Sequence, residues 1–115
     1  MNKKLWQPSI KSKEKSNLFE FEKFISKRFN KKFNKNYKNI HNWSVKNTGE
    51  FWSSIWDFSK IKGIKGDSKF KKSKEFFKNI FLPNSKLNFC ENLLSKNTKE
   101  KAITFISENG YREIR

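Results

Sequence analysis

The chain holds one cysteine, one histidine, one alanine, three arginines and four glycines in its 115 residues. A single thiol, Cys90, can close no internal disulfide and implies no oxidising compartment. A single imidazole, His41, rules out a histidine metal cluster and a Ser-His-Asp triad, and reads as a surface or half-buried helix residue. No apolar stretch approaches the length of a membrane span. The opening residues, MNKKLWQPS, are basic but have no apolar run behind them, which argues against a secretory signal. These absences together predict a soluble cytoplasmic chain.

Acidic residues are scarce too, 11 against 27 basic ones, giving a net charge of +16 and a pI near 10.1. Such a balance ordinarily points to nucleic acid or an anionic surface. The charge, however, comes from 24 lysines and only three arginines, alongside 14 asparagines, 13 phenylalanines and 10 isoleucines. Lysine, asparagine, phenylalanine and isoleucine are all written in A/T-rich codons, so a biased genome yields this composition whatever the protein does. Nucleic-acid sites favour arginine for its bidentate contacts, and these lysines are spread from Lys3 to Lys101. Nucleic acid is therefore not the expected partner, and a small basic nucleic-acid-binding module is kept as the alternative.

What the chain has is aromatic side chains. Phe, Trp and Tyr make up 17 % of it, too many for a disordered chain, while hydrophobic residues in total reach 34 % and mean hydropathy is −0.96. The chain reads as foldable but short of apolar partners. The densest stretch is WSVKNTGEFWSSIWDF, from Trp43 to Phe58, with three of the four tryptophans. As a helix it sets Phe51, Ile55 and Phe58 on one face and Trp52 and Trp56 on the next. Glu50 follows Asn47 at the spacing of a capping box. So much apolar surface on so short an element predicts a large body, outside this chain, for the tryptophans to lie against.

The remaining segments predict a fold that is mostly α with a C-terminal β-hairpin. Residues 1–16 read as an extended arm with Leu5, Trp6 and Ile10 as its apolar points. A helical domain is expected over 17–100. Its first helix runs from Leu18 to Phe29, capped by Asn17 with Glu20 three residues on. Residues 30–36 read as a loop, and a second helix carries Tyr37, Ile40 and Trp43 before Gly49 turns the chain. Residues 59–79 read as an exposed basic loop. Its Gly63-Ile64-Lys65-Gly66 lacks the four-residue spacing between glycines and the Lys-Ser or Lys-Thr of a phosphate loop. Pro83 and Asn84 mark a turn, and a short helix near Asn88 should face Leu87, Cys90, Leu93 and Leu94 inward. In residues 101–115, Asn109-Gly110 lies between two alternating segments, the signal of a hairpin with a type I′ turn.

Candidate chemistry is thin. Cys90 on an apolar helix face behaves as a small hydrophobe, with only the flexible Lys86 nearby in sequence to activate it. The carboxylates Glu50, Asp57 and Glu91 are scattered among lysines, and Asp57 and Glu91 read as capping or salt-bridging groups. The residues alone propose no catalytic, cofactor-binding or metal-ligating position.

Four stretches, taken in order, resemble a known family. Leu5-Trp6-Gln7-Pro8-Ser9, then Trp43-Ser44-Val45 with Phe51-Trp52 and Ile55-Trp56-Asp57-Phe58, resemble the N-terminal region of acetoacetyl-CoA synthetases (acetoacetate–CoA ligases). Leu82-Pro83-Asn84-Ser85-Lys86-Leu87-Asn88-Phe89-Cys90-Glu91-Asn92-Leu93-Leu94 is similar to a further segment of that family, with Cys90 where a small residue is usual. Lys101 to Ile106 with Asn109-Gly110 looks like the opening hairpin of its large adenylating domain. Acetyl- and propionyl-CoA synthetases share the module more distantly, and their Asp-Arg-His ending is lacking at Asn92-Leu93-Leu94-Ser95.

The resemblance implies the N-terminal module and first hairpin of a truncated α/β adenylate-forming synthetase. It implies ATP, magnesium and CoA for the full-length enzyme and none in this fragment. The family's catalytic residues lie beyond Arg115, so none carries over to a position here. The implied partner is the remainder of the synthetase, its large adenylating domain. A chain of this kind alone is expected to be inactive.

Overall fold

Ile25 has no exposed surface, and around it the 13 residues of α2 (Asn17–Phe29) turn Phe21 and Glu22 inward. The computed structural model describes residues 5–96 and 99–114. The first four residues of the expected arm, residues 97–98 of the expected helical domain and the last residue of the hairpin segment lie outside the described residues. Before α2 comes α1 (Ile10–Glu14). After it follow α3 (Tyr37–Lys46), α4 (Thr48–Phe58), β1 (Phe70–Lys71), a 3-10 turn (Phe76–Lys78), β2 (Ile80–Phe81), α5 (Phe89–Leu93) and the strands β3 (Ile103–Ser107) and β4 (Gly110–Ile114). The described residues are thus mostly helical with a C-terminal hairpin, as the sequence predicts.

The core is aromatic and lies between α2, α3 and α4. Phe21, Ile25, Phe33, Ile40 and Trp43 are buried, with Phe24, Phe29, Phe51, Ile55 and Phe58 packed against them. The Trp43 indole meets the rings of Phe29 at 5.1 Å, Phe33 at 5.5 Å and Phe51 at 6.3 Å. Phe21 meets Phe58 at 5.2 Å and Phe51 at 5.8 Å, both edge to face. Such pairs contribute about 0.5–1.5 kcal/mol each beyond the area they bury.

This packing corrects the reading of the tryptophans. Trp43 and Trp56 are 6 % and 7 % exposed, so they are buried within this chain rather than held out for another body. Trp52 is half-exposed, its ring 5.6 Å from that of Phe81, which in turn lies 5.2 Å from Phe70. Those three rings join α4 to the β1–β2 pair.

Several local expectations shift for identifiable reasons. The arm is not wholly extended, because Ser9 caps a one-turn helix, α1, by accepting from the Ser12 amide. The cap of α2 is Ser16, whose Oγ accepts from the Phe19 amide, and Asn17 is the first helical residue. Asn47 joins α3 to α4 as the lone residue between them. Its ψ of 52° departs from the extended backbone a capping side chain needs, and its Nδ2 donates back to the Trp43 carbonyl. The capping box is therefore not formed, and Glu50 instead pairs with Lys69 at 2.7 Å. Gly49 lies inside α4 and does not make the turn.

Residues 30–36 form the expected loop, but a pinned one. Phe33 plugs the core, and the Glu22 carboxylate accepts from the Lys35 amide at 2.8 Å where Asn34 and Lys35 are both left-handed. The loop after α4 is also more ordered than predicted. Ile64 and Lys86 exchange backbone bonds of 2.7 and 2.8 Å. A Cβ on Gly63 would come within 2.6 Å of the Lys86 carbonyl oxygen, and one on Gly66 within 2.8 Å of Asn84. These glycines serve close backbone approach.

The second half is differently built. Asn88 caps α5 by accepting from the Glu91 amide, and the Asn92 side chain bonds both the amide and the carbonyl of Lys62. Yet Leu87, Cys90, Leu93 and Leu94 do not face inward: the first, third and fourth are exposed apolar residues and the thiol is exposed as well. β3 and β4 pair antiparallel from Ile103↔Ile114 to Ser107↔Gly110, which makes Glu108 and Asn109 the turn. Neither has the positive φ that a type I′ turn requires, so the strands are as expected but the turn type is not. The Cα radius of gyration is 19.2 Å, against about 13 Å for a compact domain of this length.

Two outcomes follow in denaturant melts. Ser16→Ala should cost about 1 kcal/mol through the lost cap while Asn17→Ala stays within about 0.5 kcal/mol. Trp43→Ala should cost about 3–5 kcal/mol by opening the core, while Leu93→Ala changes little.

Candidate functional site

Asp57, near the end of α4, is the most heavily engaged carboxylate among the described residues. Its Oδ2 accepts from Arg28 of α2 and its Oδ1 from Lys65 Nζ at 2.6 Å. Lys65 also donates to the Ser53 carbonyl at 2.9 Å. Burial pushes the Asp57 carboxyl up, but the hydrogen bonds and charges of Lys65 and Arg28 outweigh it and hold the group below its ordinary range. This is the salt-bridging role the sequence suggests for Asp57. It ties α2, α4 and the 59–69 loop together, and leaves no oxygen poised to move a proton.

The other singled-out residues are not brought together. His41 lies on the exposed side of α3, its ring 6.1 Å from Tyr37, while Ser44 Oγ donates to its carbonyl. Cys90 is exposed on α5. Among the described residues no three of His, Cys, Asp and Glu cluster as a metal site would need.

Open cavities also lie among the described residues. One, about 730 Å³, lies between the start of α4 and residues 67–70, crossed by the Glu50–Lys69 pair. Asp67 beside it is held below its usual range by a hydrogen bond from the Asn84 amide. Another, about 770 Å³, lies between α1, α2 and the start of α3, with Glu14 at its edge paired to Lys35 at 2.8 Å. Neither sets a nucleophile beside a base.

The feature that stands out is exposed apolar surface, and it is concentrated after residue 75. Phe76, Phe77 and Phe89 are 87, 80 and 71 % exposed, and Leu93, Leu94, Ile103, Phe105, Ile106 and Tyr111 are exposed too. Three phenylalanines that open leave on the order of 500 Å² of ring surface in water. That alone matches the largest apolar patch of a typical monomer. Helical periodicity found the stripe on α5, and only the tertiary structure shows that nothing among the described residues covers it.

Over 105 residues, 91 % of this chain, it is 33 % identical to an acetoacetyl-coenzyme A synthetase from Rhizobium meliloti (strain 1021). It is 27 % identical over 118 residues to an acetoacetyl-CoA synthetase from Danio rerio, and 30 % identical over 119 residues to one from Xenopus tropicalis, covering 98 and 97 % of this chain. The chain is homologous to acetoacetyl-CoA synthetases. It spans only 16–17 % of the length of these synthetases. No family model matches it, and no solved structure matches it. No helix among the described residues is long and apolar enough to cross a membrane.

The Asp57 clamp predicts an acid response that can be measured. With its folded-state pKa lowered, Asp57 contributes stability that is present above its unfolded value of about 4 and is lost as pH falls through the folded value. Melts between pH 7 and pH 2 should therefore show Asp57→Asn less stable than the parent at neutral pH, with the gap closing below about pH 4. A gap that is constant with pH would refute the clamp.

Proposed function

We propose that this chain is the N-terminal region of an acetoacetate–CoA ligase. The parent reaction on this reading joins acetoacetate to CoA at the expense of ATP, giving acetoacetyl-CoA, AMP and diphosphate. The single observation that carries the proposal is the 33 % identity to a synthetase over 91 % of this chain. The names of the relatives favour acetoacetate over acetate or propionate as the acid.

On this reading ATP, magnesium and CoA are held elsewhere in the parent enzyme. Gly63 and Gly66 are spent on backbone packing against residues 84–87, no carboxylates gather to hold a cation, and Asp57 is neutralised by its two basic partners. No chemical step is therefore assigned to this chain. Its work is structural: an aromatic helical unit with a poorly covered second half, belonging to a cytoplasmic ligase whose adenylating domain is its partner. Neither a membrane nor nucleic acid enters the proposal.

The test is a pair of assays for ATP- and acetoacetate-dependent thioester formation. The 115-residue chain alone should give no turnover. The Rhizobium meliloti synthetase with its matching segment replaced by this chain should retain activity within about tenfold of its parent, a change of about 1.4 kcal/mol. Turnover by the isolated chain, or a soluble, folded chimera without activity, would overturn the proposal.

A further inference from the structure

The two halves of this chain differ in what they leave exposed. In α2, α3 and α4 most of the large residues pack on one another and Trp43 and Trp56 are covered, with Leu18, Tyr37, Val45 and Trp52 left exposed. From Phe76 to Leu94 the large apolar residues instead face solvent, although the backbone there is fixed by the β1–β2 pair, the Ile64–Lys86 bridge and the Asn92–Lys62 bonds. An ordered backbone that displays Phe76, Phe77, Phe89 and Leu93 is built to be covered. Phe89 and Leu93, four residues apart on α5, share one face of that helix.

Lysines outnumber carboxylates in this segment, where Glu75, paired with Lys78 at 2.7 Å, and Glu91 are the acidic groups. Lys71, Lys72, Lys74 and Lys86 make no ion pair with a carboxylate among the described residues, which leaves their charge available to a partner. An apolar centre with a basic margin fits a receiving surface with an apolar floor and an acidic rim. The relatives supply a candidate for that surface, since about five-sixths of their length lies outside the region matched by this chain.

We propose that Phe76, Phe77, Phe89 and Leu93 form the docking surface of this chain, and that it seats on an acid-rimmed apolar face of the rest of the acetoacetyl-CoA synthetase polypeptide. The helical unit of α2–α4 stands beside that contact and keeps its own core. This inference rests on the reading of the chain as part of such an enzyme, and adds which residues make the joint.

The test uses the full chain, free and within the Rhizobium meliloti synthetase in place of its matching segment, with amide hydrogen exchange as readout. Exchange over residues 76–94 should slow at least tenfold in the chimera relative to the free chain, while exchange in α2 and α3 changes little. Phe77→Asp with Leu93→Asp should abolish that slowing in the chimera and leave the melting of the free chain unchanged, because both side chains are exposed there. Lys72→Glu with Lys74→Glu should reduce it, through repulsion from the acidic rim. An active chimera whose 76–94 exchange is not slowed, or is untouched by the aspartates, would overturn the docking surface and leave the proposed function standing. Slowing that survives the lysine reversals would overturn the acidic rim. A folded, inactive chimera would overturn the reading beneath both.

Discussion

The Trp43 indole is the contact on which this fold depends. It receives Phe29 from the end of α2, Phe33 from the loop and Phe51 from α4, so one side chain on α3 fixes the position of three separate stretches. Its backbone does further work, since the Trp43 carbonyl accepts both the amide and the side chain of Asn47. The link between α3 and α4 is thereby closed at the residue that anchors the core. A chain with one alanine and few aliphatic residues has little choice but to pack ring on ring. Ring packing in turn requires edge-to-face placement, which a single well-buried indole can organise.

That economy leaves a deficit elsewhere. Hydrophobic residues are 34 % of the chain, and the core around Ile25 and Trp43 takes up most of the aromatics before residue 60. The later aromatics, Phe76, Phe77 and Phe89, have no second Trp43 to converge on. They are linked to the core through the thin bridge of Trp52, Phe81 and Phe70. Ion pairs at Asp57 from Arg28 and Lys65 fasten the helical half to the loop that follows it, and no comparable three-residue clamp holds the later aromatics among the described residues. A radius of gyration of 19.2 Å is the geometric outcome of one core serving a chain long enough for more.

Much of this was legible from residues alone. Three- and four-residue spacing places α2 and α3, and alternation places β3 and β4, since these patterns depend only on local geometry. The caps slipped by one residue because Ser16 and Asn17 are both good caps, and only the backbone at Ser16 decides between them. The burial of Trp43 and Trp56 departs from the sequence pattern for a deeper reason. Periodicity shows which residues share a face, but not whether the opposing face lies in the same chain. The partners of Trp43 are 14, 10 and 8 residues away, at Phe29, Phe33 and Phe51, and Phe33 sits among lysines and asparagines where no pattern marks it.

The hairpin sharpens the distinction between the halves. Alternation along β3 puts Ile103 and Phe105 on one face and Thr104 and Ile106 on the other, with Ile114 opposite Ile103 and Tyr111 opposite Ile106. Both faces therefore carry apolar side chains, the pattern of strands meant to be covered on two sides rather than one. Two strands alone are marginal in water, and the pair between Lys101 and Glu113 cannot make up for rings left in solvent. The helical unit needs no such cover, because its own sequence closes its core. Stability in this chain is thus graded along its length, falling from the Trp43 cluster toward the hairpin. The low end coincides with the surface whose composition asks for a neighbour.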